Sequence, residues 1–153
     1  LVRNPYNFGT TTVASADTRR QLYAAVFSSV SGTFAADEEI NQASTGAVGK
    51  VVEYDATNKL LYWYQTRFPD VGTDSDGNAT AFSGANAITG QRSSASATPN
   101  TSSSTDVNGV SITSGYSNPE LAADSGDIIY VEERSPITRA SDQTENIKLI
   151  IEF

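Results

Sequence analysis

The sequence contains no cysteine, no histidine and no methionine among its 153 residues. Without cysteine it can form no disulfide, no thiolate metal site and no thiol nucleophile. Without histidine it lacks the usual general base near neutral pH and the commonest metal ligand. A Ser-His-Asp or Cys-His nucleophilic centre therefore cannot be built from these residues. We predict a protein that is not an enzyme, with no catalytic residues, no cofactor and no metal.

Basic clusters and long apolar runs are missing as well. The chain has 10 lysines and arginines and 18 aspartates and glutamates, which gives a net charge of −8. Apart from Arg19-Arg20, the basic residues occur singly. Nucleic-acid binding depends on a clustered basic surface, so none is predicted. No run of 18 apolar residues is present, so no membrane span is predicted. Because the chain begins at Leu1, we expect a processed product or a fragment of a longer protein.

Residue types that favour β-strands dominate the rest of the chain. Strands are predicted over residues 20–34, over 38–44 (as a short edge strand), and over 48–55 and 59–66. The last two form a predicted hairpin, because Asp55 and Asn58 supply turn chemistry between them. Val48, Val52 and Tyr54 are expected to share one face of its first strand.

Small polar residues become frequent between residues 69 and 118. Nine of the thirteen residues from 93 to 105 are serine or threonine, which predicts an extended surface loop. Asn108-Gly109 predicts a tight turn. Ser117 and Glu120 have the spacing of a capping box, which predicts a short helix over 117–126. The predicted fold class is mainly β, an antiparallel sandwich- or barrel-like fold with one or two short helices.

Two stretches have the residue types of a binding site. Asp74, Asp76 and Asn78 match the first ligand positions of a calcium loop, but alanines replace its essential glycine and its closing glutamate, so a plain turn is predicted. The adjacent Glu132 and Glu133 have the residue type of a catalytic carboxylate pair. Neighbours in a strand point to opposite faces, however, so the two cannot both serve one site.

Tyr62, Trp63 and Tyr64 form an aromatic run on the predicted hairpin. Such a run is either a platform for stacking sugars or, more often, half core and half interface. The two interpretations differ in whether Trp63 is exposed.

The C-terminal segment has the most specific pattern in the chain. The pattern is an ordered series of residues: Ser125-Gly126, Ile129-Tyr130, Glu132, Arg134, Pro136-Ile137, Asp142 to Glu145, Ile147 and Phe153. This series resembles the C-terminus of the baseplate wedge protein of T-even-type contractile-tail bacteriophages. Asn4-Pro5 and Pro119 to Leu121 resemble the same family.

The resemblance implies a division of the chain into two parts. Residues 1–11 and 119–153 would form the C-terminal part of a wedge-type β domain, and the terminal strand would bury Ile147, Leu149 and Ile151. Residues 12–118 would be an inserted β-rich lobe, similar to the longer versions in related phages of marine cyanobacteria, with the loop at 93–105.

The resemblance also implies a function. The chain would be a structural virion protein of a tail baseplate, assembled in the host cytoplasm, which forms a dimer and contacts other wedge proteins within a sixfold assembly. The residues expected at assembly interfaces are Tyr130, Glu132, Arg134, Pro136, Gln143, Glu145, Ile147 and Phe153. The alternative function is a carbohydrate-binding module or adhesin domain of a phage tail or cell surface, with Trp63, Tyr62 and Tyr64 as its platform.

Overall fold

The computed structural model describes residues 2–15, 20–65, 71–122 and 125–131. Within these ranges the regular structure consists of strands, which pair antiparallel throughout. The strands are β1 (Val2–Arg3), β2 (Tyr23–Val26), β3 (Glu39–Gln42), β4 (Ala47–Asp55), β5 (Leu60–Tyr64), β6 (Ile88–Gly90), β7 (Ser96–Ala97), β8 (Tyr116–Ser117) and β9 (Asp127–Ile128). The mainly β, antiparallel prediction is confirmed. None of the described residues forms a helix that could cross a membrane.

Seven strands form one sheet in the order β7-β6-β3-β4-β5-β2-β8. The chain beyond β2 returns to the far edge of this sheet, where Phe27 bridges Pro99 and Ser31 bridges Ser96. The amides of Ser31 and Ser96 each donate to the other's carbonyl oxygen at 2.9 Å. These bridges close the sheet on itself, so its architecture is barrel-like. We call residues 20–65 and 71–121 the barrel.

The first half of the predicted Ser/Thr loop is part of this closure. Ala95 and Ala97 are buried, and Ser96 pairs with Thr89 of β6. The prediction of a surface loop over 93–105 is therefore wrong for this half. Backbone hydrogen bonds hold residues 95–97 in the sheet. The alternating side chains of Ala95 and Ala97 point inward and are small enough to fit in the core.

The hairpin of β4 and β5 lies near the middle of the sheet and was predicted correctly. The register shifts between Val51 and Glu53, which is a β-bulge. The bulge changes which residues face inward. Val51 is buried and Tyr54 packs against the core, whereas Val52 is 40% exposed. The predicted shared face of Val48, Val52 and Tyr54 is therefore wrong.

The two faces of β2 and β5 contribute to separate apolar clusters. The main cluster fills the inside of the closed sheet and includes Trp63, Leu61 and Ile40. The second cluster lies on the outer face and consists of Ala24 0%, Val26 7%, Leu60 0%, Val110 5% and Ile112 3% exposed. Residues 100–115, which we call the strap, supply Val110 and Ile112 and cover this outer face.

Two predicted elements differ from the structure. Strand β3 pairs with both β4 and β6, so it is interior rather than an edge strand. The helix predicted over 117–126 is absent from the described residues of that range. Ser117 belongs to β8, and the amides of Glu120 and Leu121 donate to the carbonyl of Arg20 instead of forming a helical turn.

Residues 2–15, 122 and 125–131 lie together beside the barrel, and we call them the base. Strand β1 pairs with β9, and the Tyr6 amide donates to Ser125 Oγ at 2.9 Å. Asn7 of the base forms a bridge with Leu121 at the end of the barrel. The ring of Phe8 meets that of Tyr23 edge-on, with centroids 6.2 Å apart. This contact places the base at the end of the barrel where β2 begins.

Candidate assembly surface

Four consecutive apolar residues are exposed at the end of the base. Ile128 is 71% exposed, Ile129 51%, Tyr130 58% and Val131 71%. Single exposed apolar residues are ordinary, but a contiguous apolar stretch indicates a contact surface. We call residues 128–131 the apolar segment.

Backbone geometry positions the apolar segment. Val2 faces Ile128 and Arg3 faces Asp127 in the short β1–β9 ribbon. Gly126 precedes this ribbon with φ +92°, and a Cβ there would lie 2.6 Å from the Arg3 carbonyl oxygen. Glycine is therefore required at this position, both for its φ and for the close approach of the two strands.

The ribbon has little polar stabilisation of its own. The guanidinium of Arg3 lies 3.7 Å from the carboxylate of Asp127, and both side chains are 64% exposed. A surface pair of this kind contributes little to stability. Two paired residues on each strand are also too few to form an independently stable ribbon. Further contacts would therefore stabilise this end of the molecule.

Of the predicted interface residues, Tyr130 lies within the described ranges and is exposed. The others lie outside the described residues: Glu132, Arg134, Pro136, Gln143, Glu145, Ile147 and Phe153. Glu133, Leu149 and Ile151 lie outside them as well.

The aromatic run on β5 does not form a sugar platform. Trp63 is 1% exposed, stacks on Tyr23 at 6.0 Å and meets Phe82 edge-on at 5.0 Å. Gly49 leaves space for the Trp63 ring, because a Cβ at position 49 would lie 2.7 Å from the indole. Tyr62 packs in the outer cluster, on the opposite face of β5 from Trp63. The alternative interpretation of Trp63, Tyr62 and Tyr64 as a sugar platform is therefore wrong, because a buried indole cannot stack on a ligand.

The candidate calcium loop is a turn. Asp74 Oδ1 accepts hydrogen bonds from the amides of Asp76 at 3.0 Å and Asn78 at 2.9 Å. Thr73 bridges Ala79, and Gly77 takes φ +77°. The aspartate therefore binds its own backbone, as the turn interpretation predicted. Among the described residues no group of three or more acidic side chains is placed to hold a metal.

A shallow groove of about 360 Å³ lies on the outer face of β3 and β4. Asp37, Glu39 and Lys50 supply its charges. Between its two acidic residues, Glu38 points inward and is buried. Sequence alternation suggests that Glu38 and Glu39 face opposite sides, but nothing in the sequence shows which one is buried.

A family model described as Phage-Gp8: Bacteriophage T4, Gp8 matches residues 57–153, well over half of the chain. The matched range includes the C-terminal series on which the resemblance was based. No curated protein and no solved structure matches the chain.

These findings define a structural protein of a phage tail baseplate. The chain belongs to the Phage-Gp8 family, the family of the baseplate wedge protein of bacteriophage T4. Members of this family assemble with other baseplate proteins.

Proposed function

We propose that this chain acts through protein–protein assembly contacts in the baseplate wedge, and that the apolar segment is one of them. The observation that carries the proposal is the exposure of four consecutive apolar residues in a chain of a baseplate family. Covering each of these side chains would contribute about 1.5–3 kcal/mol. Exposing such a segment to water costs free energy, which a partner that covers it would recover.

The remaining assembly contacts follow from the resemblance. The chain forms a dimer within a sixfold wedge assembly of the tail baseplate, which is put together in the host cytoplasm. Tyr130, Glu132, Arg134, Pro136, Gln143, Glu145, Ile147 and Phe153 lie at its interfaces. The assembly contacts involve neither nucleic acid nor membrane, and the chain catalyses no reaction.

The proposal also divides the chain into a wedge-type part, residues 1–11 and 119–153, and an inserted lobe, residues 12–118. Two observations support this division. The described ends of the chain pair with each other, in the β1–β9 ribbon and in the bridge between Asn7 and Leu121. The seven-stranded sheet is made entirely of residues between 23 and 117.

The replacement Val131→Asp tests the assembly contact. It places a charge where a partner would bury an apolar side chain, so we expect co-purification with the phage's other wedge proteins to fall more than about tenfold. The melting temperature should stay the same, because Val131 is 71% exposed. Val71→Asp is the matched control, since Val71 is 48% exposed on the barrel. Equal co-purification of Val131→Asp and wild type would contradict the proposal.

A further inference from the structure

The chain enters and leaves the barrel at one point. The amides of Glu120 and Leu121 both donate to the carbonyl oxygen of Arg20, at 2.7 and 3.1 Å. In return, the amide of Arg20 donates to Glu120 Oε2 at 3.0 Å. Two residues that are 100 positions apart therefore hold each other through both backbone and side chain.

The guanidinium of Arg20 completes this junction. It donates to Ser117 Oγ and to the Asn118 carbonyl oxygen, each at 2.8 Å, and to the Leu22 carbonyl oxygen. The Arg20 side chain is only 16% exposed, and its Nε lies 4.0 Å from the Glu120 carboxylate. A partly buried guanidinium with these partners ties both ends of the barrel together.

Glu120 also marks the limit of the base. Its amide faces the barrel at Arg20, whereas its carbonyl oxygen accepts from the Phe8 amide at 2.8 Å. Two residues further on, the Ala122 amide donates to the Tyr6 carbonyl oxygen of the base. Between Glu120 and Ala122, the hydrogen-bond partners of the backbone amides thus change from residues of the barrel to residues of the base.

We infer that Arg20 and Glu120 form a clasp that makes the barrel and the base separate unfolding units. The barrel has its own closed hydrogen bonding and both apolar clusters. The base has short strands and exposed apolar side chains, which are features of regions that open at low free energy. The clasp joins the first and last residues of the barrel to each other, so opening of the base does not spread into the barrel.

This partition bears on the proposed function, because it allows the base to rearrange against a wedge partner while the barrel stays intact. Its test needs no wedge partner, so the partition and the proposed function can fail separately.

Native-state hydrogen exchange of the full chain, followed by NMR in low concentrations of guanidinium, tests the partition. We expect the Phe8 and Ala122 amides of the base to converge on one opening free energy. The Val51 and Ser96 amides of the barrel should converge on a higher one. A single free energy shared by all four amides would overturn the inference.

The near-isosteric replacement Glu120→Gln tests the clasp itself. We expect exchange of the Arg20 amide to accelerate about tenfold, because it loses a charged acceptor. Exchange of Val51 and Ser96 should change by less than about twofold. Glu53→Gln, at an exposed carboxylate of β4, is the control that removes the same charge.

Three results in Glu120→Gln would overturn the clasp. They are unchanged exchange at Arg20, barrel amides that accelerate together with Arg20, and unfolding of the whole chain. The last two would mean that the clasp does not isolate the barrel from opening at its ends.

Discussion

At Glu38, one buried carboxylate receives four hydrogen bonds. They come from the amides of Ala35, Arg92 and Ser93 and from Ser93 Oγ, at 2.6–3.1 Å. Glu38 therefore joins the start of β3 to the turn between β6 and β7. The carboxylate lies so close to Gly90 that a Cβ there would be 2.6 Å from Oε1.

The pKa of Glu38 is lower than the ordinary value of 4.5. Burial alone would raise this pKa, but the hydrogen bonds from Ser93, Ala35 and Arg92 favour the charged form and together lower it. A lowered folded-state pKa contributes stability above the unfolded-state pKa. That stability is lost as the pH falls through the folded-state value. The charged carboxylate should therefore stabilise the fold at neutral pH and lose this effect in acid below about pH 4.5.

We predict that Glu38→Gln lowers the free energy of unfolding at pH 7 by about 2–3 kcal/mol, because an amide cannot accept all four hydrogen bonds. The difference from wild type should shrink below pH 4.5, where the wild-type carboxylate takes up a proton. Denaturant titrations at several pH values measure both effects. Glu39→Gln, at the exposed neighbour, should change stability by less than about 0.5 kcal/mol. A difference that does not depend on pH would refute the role of the charge.

At the scale of elements, the strap shows how few apolar residues can cover a sheet face. Its turn at Asn108-Gly109 has positive φ at both residues, 49° and 75°, as a type I′ turn requires. This turn brings Val107 and Val110 into a bridge. Asn108 Nδ2 also lies 3.4 Å from Asp55 Oδ2 at the hairpin turn. The strap is therefore held at its tip as well as by its apolar side chains.

We predict that Ile112→Ala lowers the free energy of unfolding by about 2–4 kcal/mol, because it leaves a cavity over Leu60 and Val26. Ser111→Ala is the control, since Ser111 is exposed next to it. Thermal and denaturant unfolding of both variants measure the effect. A loss below about 1 kcal/mol for Ile112→Ala would mean that the strap does not protect this face.

Elements were predictable from the sequence where local chemistry decides them. The β4–β5 hairpin follows from its alternation and from Asp55, whose Oδ1 accepts from the amides of Thr57 and Asn58. The segment 117–122 was predicted wrongly because Glu120 has a partner 100 residues away in Arg20. A capping pattern cannot reveal a distant competitor for the same carboxylate.

At the scale of the whole molecule, closure of the sheet depends on contacts that no local pattern predicts. Phe27 and Ser31 meet Pro99 and Ser96 across more than sixty residues of sequence. The Ser/Thr-rich composition of 93–105 predicts a loop because its side chains bury little area. The backbone of its first half nevertheless completes a sheet. Family membership, in contrast, was predicted from the C-terminal series and is confirmed.

The candidate assembly surface was predictable only in part. Tyr130 was predicted at an interface from the resemblance, and the structure adds the exposure of its neighbours Ile128, Ile129 and Val131. An apolar run such as 128–131 equally suits a buried strand. Sequence alone could not show that it lies exposed beside a two-stranded ribbon.

Cryo-electron microscopy of baseplates from the phage that encodes this chain tests the central claim most directly. We predict that the chain occupies wedge positions repeated with sixfold symmetry, as a dimer. Residues 128–131 should be buried against a neighbouring subunit, and the barrel should keep the closed sheet described above. Baseplates in which the chain is absent from the wedge, or in which residues 128–131 face solvent in every copy, would contradict the account.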